Sequence, residues 1–481
     1  METPAPKLSR IKKIFRRTVF VLAVFITLVA LLIAEEDWRG SRAWHNYKSE
    51  MEAKGERFDS ARLIPPQVPD DENFAACEYL AHPFAKTPGP PEWTNIDSYL
   101  PTNSTLPYNL PHHPLWPYGL SSDLTNWASA FQKGTAPEKM DPAQAAAIVL
   151  DHLKVCEPVL AELRAASQKR FCRFNVPYED WFGAREKAQE ATFQHFALVK
   201  GLFRVLVLRA EAELVVGHTE QAMEDIRMMF RLEDGLKDEP LLISQLVSIA
   251  SAAILVQPIA EGLAERRWSD TQLRFLQVQL GKIDLLASAV RAFYGERDIL
   301  ANPSFDGGML PLRGWNRLEQ LSLNQAFKEA LLPRINLSGR EVSPAIGHAC
   351  DLAMSNYPHS AILHHTMFAA MMLPATFRAP EKAAAVQTDV DLMTVACALE
   401  RYRLADGNYP DQLTALSPRF ITTMPHDIIN GQPLKYRRTP NGKFILYSVG
   451  WNEKDDGGVI ATNKDGHVDR LRGDWVLQYP E

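Results

Sequence analysis

Residues 384–449 read AAVQTDVDLMTVACALERYRLADGNYPDQLTALSPRFITTMPHDIINGQPLKYRRTPNGKFILYSV. An amphipathic helix opens the stretch over Ala384–Leu404, with Cys397 on its apolar side as a small core residue. Gly407-Asn408-Tyr409-Pro410 stops it, since Gly accepts the left-handed cap and Pro cannot continue a helix. A short helix over Leu413–Leu416 follows, then a loop punctuated by Pro425. Strands Leu434–Arg438 and Phe444–Val449 flank Pro440-Asn441-Gly442, and Asn-Gly between such runs is a strong hairpin signal. The expected product is one helix packed on a small antiparallel sheet.

This order resembles the globular domain of the major pseudopilin of type II secretion. The resemblance rests on Ala398-Leu399-Glu400-Arg401-Tyr402, Gly407-Asn408-Tyr409-Pro410, Leu413–Leu416, the Pro425 loop and Leu446-Tyr447-Ser448-Val449-Gly450. It covers roughly the last hundred residues and implies a fold more than an activity. At the other end the chain departs from that family. The processing motif Gly-Phe-Thr-Leu-x-Glu is missing before the apolar run, and about 350 residues separate that run from Ala384.

Thr18–Ala34 (TVFVLAVFITLVALLIA) is a 17-residue run without a charge. At 1.5 Å per residue it spans about 25 Å, the short end of a membrane crossing. Lys7, Arg10, Lys12, Lys13, Arg16 and Arg17 precede it and Glu35-Glu36-Asp37 follow. Basic flanks stay cytoplasmic, which predicts a single-pass inner-membrane protein with its N-terminus inside and its soluble part periplasmic. As a cleaved signal, Leu32-Ile33-Ala34 would place Leu where a small residue is wanted, so an uncleaved anchor is the reading.

The remaining charge is acidic. Taking the six basic residues and Glu2 of positions 1–34 from the 52 basic and 58 acidic residues leaves 46 and 57, a net of −11. Phosphate backbones are bound by Lys and Arg, so nucleic acid is not an expected partner. Five scattered cysteines, an odd number without a CxxC, suggest neither a zinc site nor a disulfide framework.

The expected organisation is a basic tail (1–17), an anchor (18–34), a juxtamembrane helix (35–60), a Pro-rich segment (61–140), a helical domain (141–378) and the pseudopilin-like α+β domain (379–481). Trp38, Trp44 and Tyr47 suit the interface just outside the bilayer. Pro65–Pro137 contains 13 prolines together with Trp93, Trp116 and Trp127, which predicts irregular chain packed on a neighbour. Its Val68-Pro69-Asp70-Asp71-Glu72-Asn73-Phe74-Ala75 resembles a segment of membrane-anchored proteins of planctomycete-type bacteria.

Helices are predicted over Asp141–Gln168, with Asp141-Pro142 as cap, Ala184–Val216, Thr219–Asp234 capped by Thr219, Asp238–Arg266 and Ser269–Arg297. Ala212, Gly217, Ala222 and Ile226 have the spacing of one tetratricopeptide unit, compatible with a helical bundle or a short α-solenoid. Leu241–Ala260 and Ala361–Phe377 are apolar but carry Ser244, Gln245, Ser248, His364, His365 and Pro374, so both read as buried helices. Ala301–Gly314 and Pro333–Ser343 read as loops. The fold class is a mostly α, multidomain α+β protein.

No HExxH, G-x-S-x-G, GxxxxGK[ST] or GxGxxG occurs. His112-His113 and His359, His364, His365 lack the i, i+4 spacing of a zinc helix. Carboxylates crowd the C-terminal loops at Asp455-Asp456-Gly457-Gly458, Asn463-Lys464-Asp465-Gly466, Asp469 and Asp474. Such loops either form turns or hold a hard cation. As an EF-hand they fail, with Ala461 and Arg472 at the first and last positions. The pseudopilin resemblance implies calcium held by the loop after the hairpin, with Asp455, Asp456 and Asp474 as ligands by position. The functional expectation is a membrane-anchored scaffold for envelope protein partners. The alternative is an envelope hydrolase with its site in the helical domain.

Overall fold

A computed structural model describes residues 7–84, 95–101, 122–132, 140–178, 188–300, 313–355, 365–464 and 468–478. It is 67% helical, with a few small antiparallel sheets. Helix α1 (Lys7–Ala53) runs unbroken through the apolar run and the charged segment after it. None of its apolar window is buried in protein. Trp44 and Met51, farther along, are buried.

The Pro-rich segment packs on the helical body wherever it is described. Phe74, Leu80, Ile96 and Trp127 are fully buried. Within the Val68–Ala75 motif, Asn73 exchanges two hydrogen bonds with the backbone of Arg173, at 2.8 and 2.9 Å. Its Oδ1 also accepts from Ala75 N. That motif is therefore a structural pin. Trp93, Trp116, His112 and His113 lie outside the described residues.

Helices follow in series: α2 (Leu124–Phe131), α3 (Pro142–Leu153), α4 (Glu157–Ala166), α5 (Ala188–Val215), α6 (Thr219–Leu236), α7 (Leu242–Ala264), α8 (Asp270–Leu280) and α9 (Leu285–Leu300). Asp141 caps α3 as expected, accepting from Ala143 N. The single helix predicted to Gln168 instead breaks between Leu153 and Glu157, just before Pro158. Likewise Ser269–Arg297 is two helices. Ser269 and Gln272 form a reciprocal capping box, and Asp284 restarts the chain by accepting from Ala287 N. Thr219 is not a cap; it is the first residue of α6, after His218. Gly217, at φ +84°, makes the turn between α5 and α6, and His218 N–H bonds back to Glu213 C=O.

Helix α7 is long and apolar enough to cross a membrane, yet 67% of that window is buried inside the protein. It packs between α5 and α6 on one side and α9 and α12 (Met367–Asp406) on the other. Before α12 come α10 (Arg313–Ala326), a minimal hairpin β1 (Ile335–Asn336) and β2 (Glu341–Val342), and α11 (Ala345–Ser355). Of the loop expected over Ala301–Gly314, the final two residues already belong to α10, and residues 301–312 lie outside the described ones.

Helix α12 is continuous across position 378, where the sequence suggests a division, although Pro374 and Pro380 each remove a helix donor. Residues 387–401 are all buried. The helix is amphipathic in sequence but encased in the fold. Helices α7, α8, α9, α10 and α11 surround one side, and strands β4 (Phe444–Ser448) and β7 (Trp475–Gln478) cover the other. Strand β3 (Lys435–Arg438) completes a sheet of order β3-β4-β7, in register Lys435↔Tyr447 and Ser448↔Trp475. Strands β5 (Ile460–Thr462) and β6 (Val468–Gly473) form a separate ribbon.

Every charge buried on α12 has a partner among the described residues. Asp389 pairs with Arg470 and Asp391 with Arg340. Arg401 reaches Asp270 at 2.8 Å, and Glu400 accepts from Tyr409 Oη at 2.7 Å. Polar positions that look solvent-facing in sequence thus tie the helix to its surroundings.

Candidate functional site

The carboxylate loop sits on the edge of the sheet. Asp474, between β6 and β7, is 2% exposed. Its carboxylate accepts from the backbone N–H groups of Asp456 (3.2 Å), Gly458 (2.6 Å) and Val459 (3.3 Å). Burial raises its pKa, and those three donors lower it. Asp455 accepts from Tyr447 Oη and Gly457 N and lies 3.3 Å from Lys435 Nζ. The Gly457 N–H and the Tyr447 hydroxyl, ahead of Lys435, hold its pKa down. Asp456 accepts from Asn452 Nδ2.

The structure thus brings Asp474 to the backbone beside Asp455 and Asp456. The partners facing these carboxylates are N–H, O–H and ammonium donors, which repel a cation. Among the described residues no three His, Cys, Asp or Glu side chains gather to hold a metal ion. Asp474 works as a latch that closes residues 456–459. Asp465 and Gly466 lie outside the described residues.

His365 precedes α12 in a left-handed turn, at φ +57°, so it is not on a helix. Its ring packs on Trp315 at 4.4 Å between centroids and pairs with Glu36 of α1. Beside it α1 crosses α10 at two glycines. A Cβ on Gly40 would lie 2.1 Å from the carbonyl oxygen of Gly314. Gly314 N–H donates to Asp37 Oδ1 at 2.6 Å. Just past the end of α1, Arg297 joins Glu56 at 2.8 Å and the carbonyl of Arg57 at 2.6 Å. His359 and His364 lie outside the described residues.

In the helical body one trio has the residue types of a hydrolase. Ser244 Oγ donates to Glu239 Oε2 at 2.5 Å, and Glu239 Oε1 lies 3.1 Å from His195 Nε2. The order is unsuited to nucleophile activation, which needs the imidazole against the hydroxyl. All three are buried, and the rings of Phe84, Phe174 and Phe196 surround the imidazole. The trio joins α5 to α7.

All five cysteines are free. Burial pushes the thiols up, Cys156 to about 11 and Cys77 and Cys350 to about 12, with Cys172 and Cys397 beyond. None is a thiolate near neutral pH, so none has the activation of a cysteine nucleophile.

A cleft of about 740 Å³ opens where α8, the β1–β2 turn, α12 and residues 418–426 meet. Its lining includes Arg274, Arg340, Arg401 and Arg419. These residues are far apart in sequence, and no motif links them; only α12 packing against α8 and the β1–β2 turn gathers them. No protein family matches this chain, and neither does a curated protein or a solved structure.

Proposed function

We propose that the protein is a bitopic membrane protein of the bacterial envelope, with a cytoplasmic N-terminus and a periplasmic body of scaffold type. Its C-terminal helix and sheet are read as a unit like the head of a secretion pseudopilin. The observation that carries this reading is the continuity of α1. One 47-residue helix has an apolar stretch with no protein around it and an outer part sealed to α10. A body joined through Gly40–Gly314, His365–Glu36 and Arg297–Glu56 is held against the membrane, not hung on a linker. A scaffold needs that fixed geometry.

The test is fractionation. The protein should stay in membranes washed with alkaline carbonate, and its intact mass should include Met1 or its immediate neighbours. Release by the wash, or an N-terminus at Glu35, would remove the anchor on which the reading depends.

A further inference from the structure

The cleft between α8, α12 and the β1–β2 turn has a chemistry that the scaffold reading does not use. On a body with a net charge of −11 beyond residue 34, it collects four guanidinium groups. One is committed. Arg401 is 6% exposed and bonds Asp270, Gln277 and the carbonyl of Phe420 at 2.8 to 3.1 Å.

The other three are only loosely neutralised. Arg274 lies 3.9 Å from Asp270, a carboxylate already held by Arg401. Arg419 lies 3.6 Å from Asp406, and Arg340 lies 3.4 Å from Asp391. Good charge-assisted bonds are about 2.7–2.9 Å long, so each of these arginines retains capacity for a closer anion.

Arg340 is the least ordinary of them. It sits in the left-handed region at φ +49°, a strained conformation for a non-glycine residue. Its Nε is buried and has no acceptor among the described residues. The turn that holds it is braced by His426 Nε2, 2.9 Å from the carbonyl oxygen of Gly339.

The cleft also has an apolar wall, formed by Val278, Phe420 and Met424. Phe420 packs under Arg419, with the guanidinium 4.7 Å from the ring centre. The volume falls in the range of small-molecule sites, about 300–1,000 Å³, and far exceeds what a bare oxyanion fills. We propose that this cleft binds a small phosphate monoester, its dianion held by Arg274, Arg340 and Arg419 and its organic part against Val278, Phe420 and Met424. Three guanidinium groups suit a dianion better than a single carboxylate, and guanidinium forks match phosphate oxygens.

The test uses the full chain in detergent, titrated by calorimetry with phenyl phosphate, inorganic phosphate and sodium chloride at matched ionic strength. Phenyl phosphate should bind with one site per chain, and chloride should not mimic it. Arg274→Ala and Arg419→Ala, both at exposed side chains, should each weaken binding about tenfold while leaving the melting temperature in place. Arg340→Lys keeps a charge beside Asp391 but loses the fork, and should weaken binding similarly in a folded protein. Unchanged affinity in Arg274→Ala and Arg419→Ala, or no binding by the parent chain, would overturn the assignment. Inorganic phosphate binding as tightly as the ester would overturn the role given to the apolar wall.

Discussion

Arg470 grips Asp389 through two parallel hydrogen bonds, both 2.9 Å, and this pair fastens the β5–β6 ribbon to the most buried part of α12. Asp389 is 1% exposed, and burial raises its pKa even with the guanidinium in place. Arg470→Leu strands that carboxylate and should cost about 3–5 kcal/mol in chemical denaturation. The double variant with Asp389→Leu should recover most of the loss, because the stranded charge has gone. Equal stability of parent and Arg470→Leu would show that the pair contributes nothing.

The seam between α1 and α10 depends on two residues without side chains. Gly40→Val puts methyl groups where the Gly314 carbonyl already lies within 2.1 Å of the Cβ position. The variant should lose about 1–3 kcal/mol, the usual cost of overpacking. Gly55→Ala, where a Cβ meets nothing within 4 Å, serves as a strain control at φ +89°. Gly40→Val melting with the parent would mean that the helices do not touch there.

Buried carboxylates give the helical body an inverted acid response. Burial pushes Glu233 up to about 8, despite its hydrogen bond from Ser248, and Asp225 up to about 8. An unfolded chain releases the Glu233 proton near 4.5, so between that value and about 8 the folded state holds the extra proton. Stability from this group is therefore fully present at low pH and is lost as pH rises through that window. Glu233→Gln keeps a neutral hydrogen-bonding side chain. It should raise the melting temperature at pH 8, leave it alone at pH 5 and flatten the slope between. An unaltered slope would contradict the assignment.

The Asp474 latch predicts indifference to calcium. Parent protein should melt identically in millimolar calcium and in chelator, since its carboxylate is already engaged by three backbone donors. Asp474→Asn places an amide against N–H groups and should lower stability equally in both buffers, by about 1.5–3 kcal/mol for one charge-assisted bond. Stabilisation of the parent by calcium, abolished in Asp474→Asn, would show that the loop opens to take a cation.

Local signals carried much of the fold. The Asn441-Gly442 hairpin, the Asp141 cap and the stop at Gly407 are decided within a few residues, and sequence reading places them well. Two features were not legible. The division expected at 378/379 falls inside α12, because packing on both sides outweighs the hydrogen bond missing at Pro380. The polar face of residues 387–401 looks solvated, and only tertiary partners such as Arg470, Arg340 and Asp270 make its burial tolerable. The arginine cleft was invisible for the same reason, since Arg274, Arg340 and Arg419 meet only in the folded chain.

We propose that α1 anchors a body outside the cytoplasm, and a topology reporter tests this most directly. Alkaline phosphatase fused after Glu481, which folds only in an oxidising compartment, should be active in cells expressing the full chain. A fluorescent protein that matures only in the cytoplasm should be dark at the same position. A bright cytoplasmic reporter with inactive phosphatase would place the body inside and contradict the account.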